Sequence, residues 1–227
     1  MKHNEKNGWG NTDGDNNGNS WNCGAEGATD DPEIEGLRRR MVKNAFATLM
    51  CSRGPAMFFA GDEFCNTQFG NNNPYCQDNE ISWLDWTLLE KHQDIFLFFQ
   101  YMIHFRKNHP VLRGSGKSCR YDLPDVSFHS EIPWQSPDSG GIGVAGVQFA
   151  GYAADAARDD LVFLAINVHW EAHDIQVPHL PEGLCWHFAV NTGDQEHLLF
   201  HDPLPVLSCD HFLIGERSVV ILVASHP

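Results

Sequence analysis

Apolar positions along this chain change their period about halfway. Asp31 suits an N-cap, Pro32 the first helical position and Glu33 the positive end of a helix dipole. Ile34, Leu37, Met41, Ala45 and Leu49 then recur at helical spacing, Arg53 lies near the end, and Gly54-Pro55 stops the run. Ala56-Met57-Phe58-Phe59-Ala60 is too short for a helix and apolar throughout. It predicts a strand buried on both faces, as in a parallel sheet. A second helix is predicted from Thr87, where Thr-Leu-Leu-Glu matches a capping box. Ile95, Phe98, Phe99, Met102 and Phe105 give it a heavy apolar face, and His109-Pro110 ends it.

Beyond that point the apolar runs shorten. Val126–His129, Ile142–Phe149, Leu161–Val168, Leu184–Val190 and Ser218–Ala224 read as strands separated by Gly, Pro, Asp and Asn. Leu161–Val168 and Ser218–Ala224 look central, and the others alternate. The pattern predicts an antiparallel β-sandwich of about a hundred residues. Residues 1–112 and 113–227 are therefore expected to form two domains, the first α/β and the second all-β.

The 227-residue length fits one large or two small domains. A formal net charge of −15 argues against nucleic acid, which needs clustered Lys and Arg, and against an anionic membrane surface. No run approaches the roughly 18–20 apolar residues of a membrane span. The polar, Gly/Asn-rich start does not resemble a signal peptide. Seven irregularly spaced cysteines without a Cys-x-x-Cys pair suggest reduced thiols in a cytoplasmic protein.

Candidate chemistry gathers after the first apolar run. Gly61-Asp62-Glu63 delivers two carboxylates, followed by Gly70-Asn71-Asn72-Asn73-Pro74-Tyr75-Cys76-Gln77-Asp78-Asn79. Adjacent strand residues point to opposite faces, so Asp62 and Glu63 do not form an acid/base pair. Each carboxylate could contact the active-site rim or serve in an ion pair or cap. The amides can bond many hydroxyls and Tyr75 offers a flat face for a sugar ring; equally, the Asn side chains can bond their own backbone. Trp83 and Trp86 extend the stacking surface or belong to the core. Residues 1–31 have the composition of a disordered tail, but Trp9, Trp21 and Cys23 favour a long ordered loop over a binding site.

No cofactor or metal is implied. Asp13-Gly-Asp15-Asn-Asn17-Gly18 matches the front of a calcium loop, but position twelve is Gly24 rather than Glu. His169-Trp-Glu-Ala-His173 lacks the order and the helix of a zinc motif.

These residues resemble a known family. Lys2-His3-Asn4-Glu5-x-Asn7-Gly8, Ser20-Trp21-Asn22-Cys23-Gly24-x-Glu26-Gly27, the Gly-Asp-Glu and Asn-rich strings and Ile81-Ser82-Trp83-Leu84-Asp85-Trp86 are similar to bacterial glycogen-debranching enzymes of isoamylase type. Asp125-Val-Ser-Phe-His129, Asn167-x-His169-Trp170 and Arg217-Ser218-Val219-Val220 extend the likeness more weakly.

The resemblance implies a retaining glycoside hydrolase of the α-amylase superfamily, cutting α-1,6 branches of glycogen or limit dextrin on a (β/α)8 barrel. Residues 56–60 would be the eighth barrel strand, the two helices the seventh and eighth, and His3–Asp31 the loop after the seventh strand. The family's nucleophilic Asp, acid/base Glu and third Asp find no counterpart here. The chain thus resembles the C-terminal part of such an enzyme, inactive alone and prone to self-association without the rest of the barrel. Asp62, Glu63, Asn71, Asn72, Asn73, Tyr75, Gln77 and Asp78 are the expected substrate contacts. A binding module or a purely structural domain is the alternative.

Overall fold

A computed structural model describes residues 20–75, 77–114, 118–137, 143–153, 157–194, 199 and 203–227. The calcium-loop match at Asp13–Gly18 and the motif at Lys2–Gly8 lie outside them. The chain divides into two compact units, one of residues 1–42 and 57–99, the other of 43–56 and 100–227. Helices α1 (Pro32–Cys51) and α3 (Gln93–Asn108) each contribute residues to both.

The first unit holds the beginnings of both helices, the short α2 (Leu88–Lys91) and a 3₁₀ turn over Asp62–Phe64. Asp31 caps α1 as expected: its Oδ1 accepts from the backbone N–H of Glu33 at 2.9 Å and of Ile34 at 3.4 Å. Arg38 donates to the carbonyls of Asn22 and Ala25, and Arg39 pairs with Asp94 at 2.5 Å. Phe64, Ile95, Phe98 and Phe99 are buried, with Phe58 edge-on to Phe99.

Two expectations fail in this unit. Residues 56–60 form no strand, and Met57 and Phe59 are 85% and 74% exposed. A strand needs a ladder partner, and the strands among the described residues all lie between Val126 and Ser225. The capping box at Thr87 does not form either. Thr87 has helical dihedrals, its hydroxyl donates to Asp85 at 2.6 Å, and α2 ends at Lys91 before α3 restarts at Gln93.

The second unit is built on antiparallel sheets. Strands β1 (Val126–His129), β2 (Val144–Ala153), β3 (Arg158–Asn167), β7 (Ser218–Ser225) and β5 (Cys185–Asn191) make a five-stranded sheet in the order β1-β2-β3-β7-β5. β3 and β7 sit inside it and are buried along nearly their whole length, as their unbroken apolar runs predict. β5 does not alternate cleanly, because a bulge between Phe188 and Val190 shifts its register.

Two strands were not anticipated. β4 (His173–Gln176) and β6 (His211–Ile214) pair as a separate ribbon. Each is only four residues long, and β4 has Ile175 as its one apolar residue, so hydropathy gives little sign of the pair. Ile175, Phe212 and Ile214 from this ribbon join Phe163, Trp186 and Leu222 of the larger sheet in one buried cluster. That cluster is what the ribbon exists to close.

The last turns of both helices belong to this unit. Phe46, Ala47, Met50 and Cys51 are buried on α1, Met102 and Phe105 on α3. The face marked by Met41, Ala45 and Leu49 is not the one α1 buries; Ala45 is exposed. Buried Asn44 occupies the true inner face, and a polar residue there hides the stripe from hydropathy. α1 ends at Cys51, ahead of Gly54-Pro55. Arg106 caps it, donating to the carbonyls of Met50 at 2.5 Å, Ser52 at 2.8 Å and Gly54 at 2.7 Å. Arg53 pairs with the carboxylate of Asp125.

Candidate functional site

The eight residues singled out from sequence all fall in the first unit, between positions 62 and 78. The turn that carries the two carboxylates depends on Gly61. Its φ is +99°, and a Cβ there would stand 2.6 Å from that of Asn66 and 3.0 Å from a Leu84 methyl. Only glycine fits without strain. Asp62 Oδ2 then accepts from the N–H of Phe59, and Glu63 Oε2 from that of Gly61, both at 2.8 Å. Both carboxylates thus brace the 3₁₀ turn. With no strand here, Asp62 and Glu63 do not alternate across one as expected.

Phe64 is fully buried beneath this turn and lies 5.1 Å from the ring of Trp86. Asn66 ties the turn to the next segment. Its Nδ2 donates to the Trp83 carbonyl at 3.3 Å, and its Oδ1 accepts from Asp85 N–H at 2.9 Å. Sequence reasoning passed over Asn66, since one Asn between Cys65 and Thr67 carries no pattern.

The amide loop folds on its own side chains. Asn71 is buried, and its Oδ1 accepts from Asn73 N–H at 2.8 Å; Asn73 Oδ1 accepts from Tyr75 N–H at 3.2 Å. Asn79 repeats the turn toward Ile81. Such Asx turns fix the backbone of the loop. Gln77 Nε2 reaches the Asn73 carbonyl at 3.4 Å. Asn72 is half-buried in the same loop. Asp78 Oδ1 accepts from the Trp83 indole at 2.8 Å, which fixes that ring.

Tyr75 is 70% exposed, Trp83 57% and Trp86 63%, so the two tryptophans are not core residues. Phe59 and Phe69 are exposed as well. The unit thus presents a loop of fixed amides beside large aromatic faces, a chemistry suited to polyhydroxylated ligands.

Electrostatics here are mild. Hydrogen bonds from Thr87 hold Asp85 below the usual carboxylate range, and burial raises the Cys65 thiol. Among the described residues no group of three or more His, Cys, Asp or Glu is placed to hold a metal ion. His169 and His173 share a 3.0 Å contact between ring nitrogens, and His173 meets Glu131 at 2.6 Å, off any helix. No helix among the described residues is long and apolar enough to cross a membrane.

The architecture has solved counterparts. A pullulanase from Anoxybacillus sp. LM18-11, complexed with maltotetraose, superposes with a TM-score of 0.59 at 17% identity over 83% of this chain and 24% of that one. That likeness defines the class of fold, which matches part of that chain.

Sequence relatives make the assignment narrower. The chain is 38% identical over 240 residues to the glycogen operon protein GlgX homolog of Mycobacterium tuberculosis, across 97% of this chain and 33% of that protein. It is 37% identical to rice isoamylase 3 over 85% of this chain and 23% of the relative. It is 45% identical to the glycogen debranching enzyme of Erwinia tasmaniensis over 49% of this chain and 17% of the relative. The resemblance to proteins named isoamylase and glycogen operon protein therefore holds over most of the chain. The chain spans about a third or less of these relatives' lengths. No family model matches it.

Proposed function

We propose that this chain is the C-terminal part of an isoamylase-type glycogen debranching enzyme. The full-length activity is retaining hydrolysis of α-1,6-glucosidic branches in glycogen or limit dextrin, in the cytoplasm. Residues 1–112 contribute the end of a (β/α)8 barrel, and residues 113–227 an antiparallel β-sandwich. The observation that carries the reading is 38% identity over 97% of the chain to a glycogen operon protein.

Within the assembled enzyme, Asn71, Asn72, Asn73, Tyr75, Gln77 and Asp78 form part of the glucan-binding rim, with Tyr75 as the stacking face. Asp62 and Glu63 hold that rim in place through the turn they brace. A maltooligosaccharide named as the ligand of a pullulanase of similar fold supports an α-glucan here.

Retaining hydrolysis needs two carboxyls about 5–5.5 Å apart across the scissile bond. The resemblance supplies no counterpart for them in this chain, so the chain alone is inactive. Its exposed Met57 and Phe59 favour self-association. The test is incubation of the purified chain with branched limit dextrin. No new reducing ends are expected, while affinity electrophoresis in glycogen shows retardation that Tyr75→Ala abolishes. Release of reducing ends overturns the inactivity, and unretarded migration of the parent chain overturns the binding role.

A further inference from the structure

One thiol in the second unit is set against a base. Cys185 and His187 lie two apart on β5, so their side chains share a face of the sheet, while Trp186 between them points into the core. Cys185 Sγ is 3.2 Å from His187 Nε2. His187 Nδ1 is 3.1 Å from the carbonyl oxygen of Leu204. A carbonyl only accepts, so Nδ1 carries the hydrogen, and the neutral ring offers its Nε2 lone pair to the thiol.

That carbonyl is held in place. Residues 204–207 run along the outer edge of β5, where the Phe188 N–H donates to the Pro205 carbonyl at 2.9 Å and the Leu207 N–H to the Trp186 carbonyl at 2.8 Å. A nucleophile, a base in reach and a third group orienting the base make up the arrangement that activates a thiol. His187 is buried, whereas Cys185 is half-exposed at a sheet edge.

Cys51, Cys119 and Cys209 lack this setting. Cys51 is buried and its thiol is pushed up to about 12 by burial. Cys119 points at the Leu123 carbonyl and Cys209 at that of His211, whereas Cys185 has the imidazole nitrogen at 3.2 Å besides a longer, 3.6 Å contact with the Ser225 carbonyl.

We propose that Cys185 is a thiol-modification site, activated by His187, that exchanges with low-molecular-weight disulfides. The Cys185 proton moves to His187 Nε2, and the thiolate attacks one sulfur of the disulfide. The S–S bond breaks, a Cys185–S–S–R bond forms, and the leaving thiolate takes the proton back from the imidazolium. One thiol and one disulfide are consumed, and one mixed disulfide and one thiol result.

The experiment treats the whole chain with oxidised glutathione at neutral pH and maps adducts by peptide mass spectrometry, native and in urea. A half-buried thiol without a base reacts more slowly when folded. Cys185 is expected to react faster in the native chain, by about a hundredfold or more, the low end of what a positioned base supplies. Exposed Cys209 is expected to show no such gain. In His187→Gln the gain at Cys185 disappears. An equal or slower native rate at Cys185, an equal gain at Cys209, or a gain that survives in a folded His187→Gln overturns the proposal. Should that variant not fold by circular dichroism, the native-against-urea comparison on the parent chain decides.

Discussion

The Thr192 hydroxyl donates to the side-chain carbonyl of Asn44 at 2.5 Å, joining residues 148 apart in sequence. Asn44 Nδ2 donates in turn to the Arg217 carbonyl at 2.7 Å, and the Thr192 oxygen accepts from Val219 N–H at 2.7 Å. One buried amide thus bonds the end of α1 to the turns that lead out of β5 and into β7. Both of its side-chain bonds reach residues far away in sequence.

Replacing Asn44 by Ala removes both bonds and leaves a buried hydroxyl and carbonyl to find other partners. The expected cost is about 1–3 kcal/mol, the range for a buried group that loses its partner. Urea denaturation followed by circular dichroism measures it. A loss under about 0.5 kcal/mol would show that the amide is replaceable.

Arg106 meets the carbonyls of Met50, Ser52 and Gly54 at the end of α1, where helix carbonyls lack internal partners. Arg106→Met keeps most of the stem and discards the donors. About 1.5–3 kcal/mol is expected, as for charged hydrogen bonds. Arg106→Lys, which lacks the planar fork, should recover only part of it. Full recovery by Lys would count against the capping role.

Gly61→Ala forces a left-handed conformation on a residue with a Cβ and drives it against Asn66. The strain is worth about 1–3 kcal/mol. Because the Asp62 and Glu63 bonds depend on this turn, amide hydrogen exchange should rise at Phe59 and Gly61, the two N–H groups those carboxylates hold. Unchanged protection at both positions would separate the turn from its glycine.

His129 is fully buried, and burial lowers its pKa from the ordinary 6.5. Its Nδ1 accepts from Trp134 N–H at 2.8 Å and its Nε2 faces Ser127 Oγ at 2.9 Å, which suits a neutral ring protonated on Nε2. Below pH 6.5 the unfolded chain binds the proton before the folded one, so the stabilisation is full above that pH and lost as pH falls toward the folded pKa. The urea midpoint should decline between pH 7 and 5, and His129→Gln should flatten that decline. A midpoint independent of pH in the parent chain would contradict it. His92, lowered chiefly by burial, acts in the same direction.

Local chemistry made much of the chain legible. Asp31 and Pro32 start α1 because a cap and a fixed φ act over a few residues. Val126–His129 and Ser218–Ala224 become strands because their patterns are set by side chains within each run. Phe98, Phe99 and Met102 are buried where helical spacing puts them. Other features depend on partners far away in sequence. Ala56–Ala60 has strand composition but no ladder to join, and composition cannot supply one. β4 and β6 are strands only because they pair with each other over a core that neither contains alone. Asn44 is an inner-face residue only because Thr192 and Arg217 meet it. Cys185 and His187 could be placed on one face from their spacing, but Leu204, which orients the base, is brought there only by the folded chain edge.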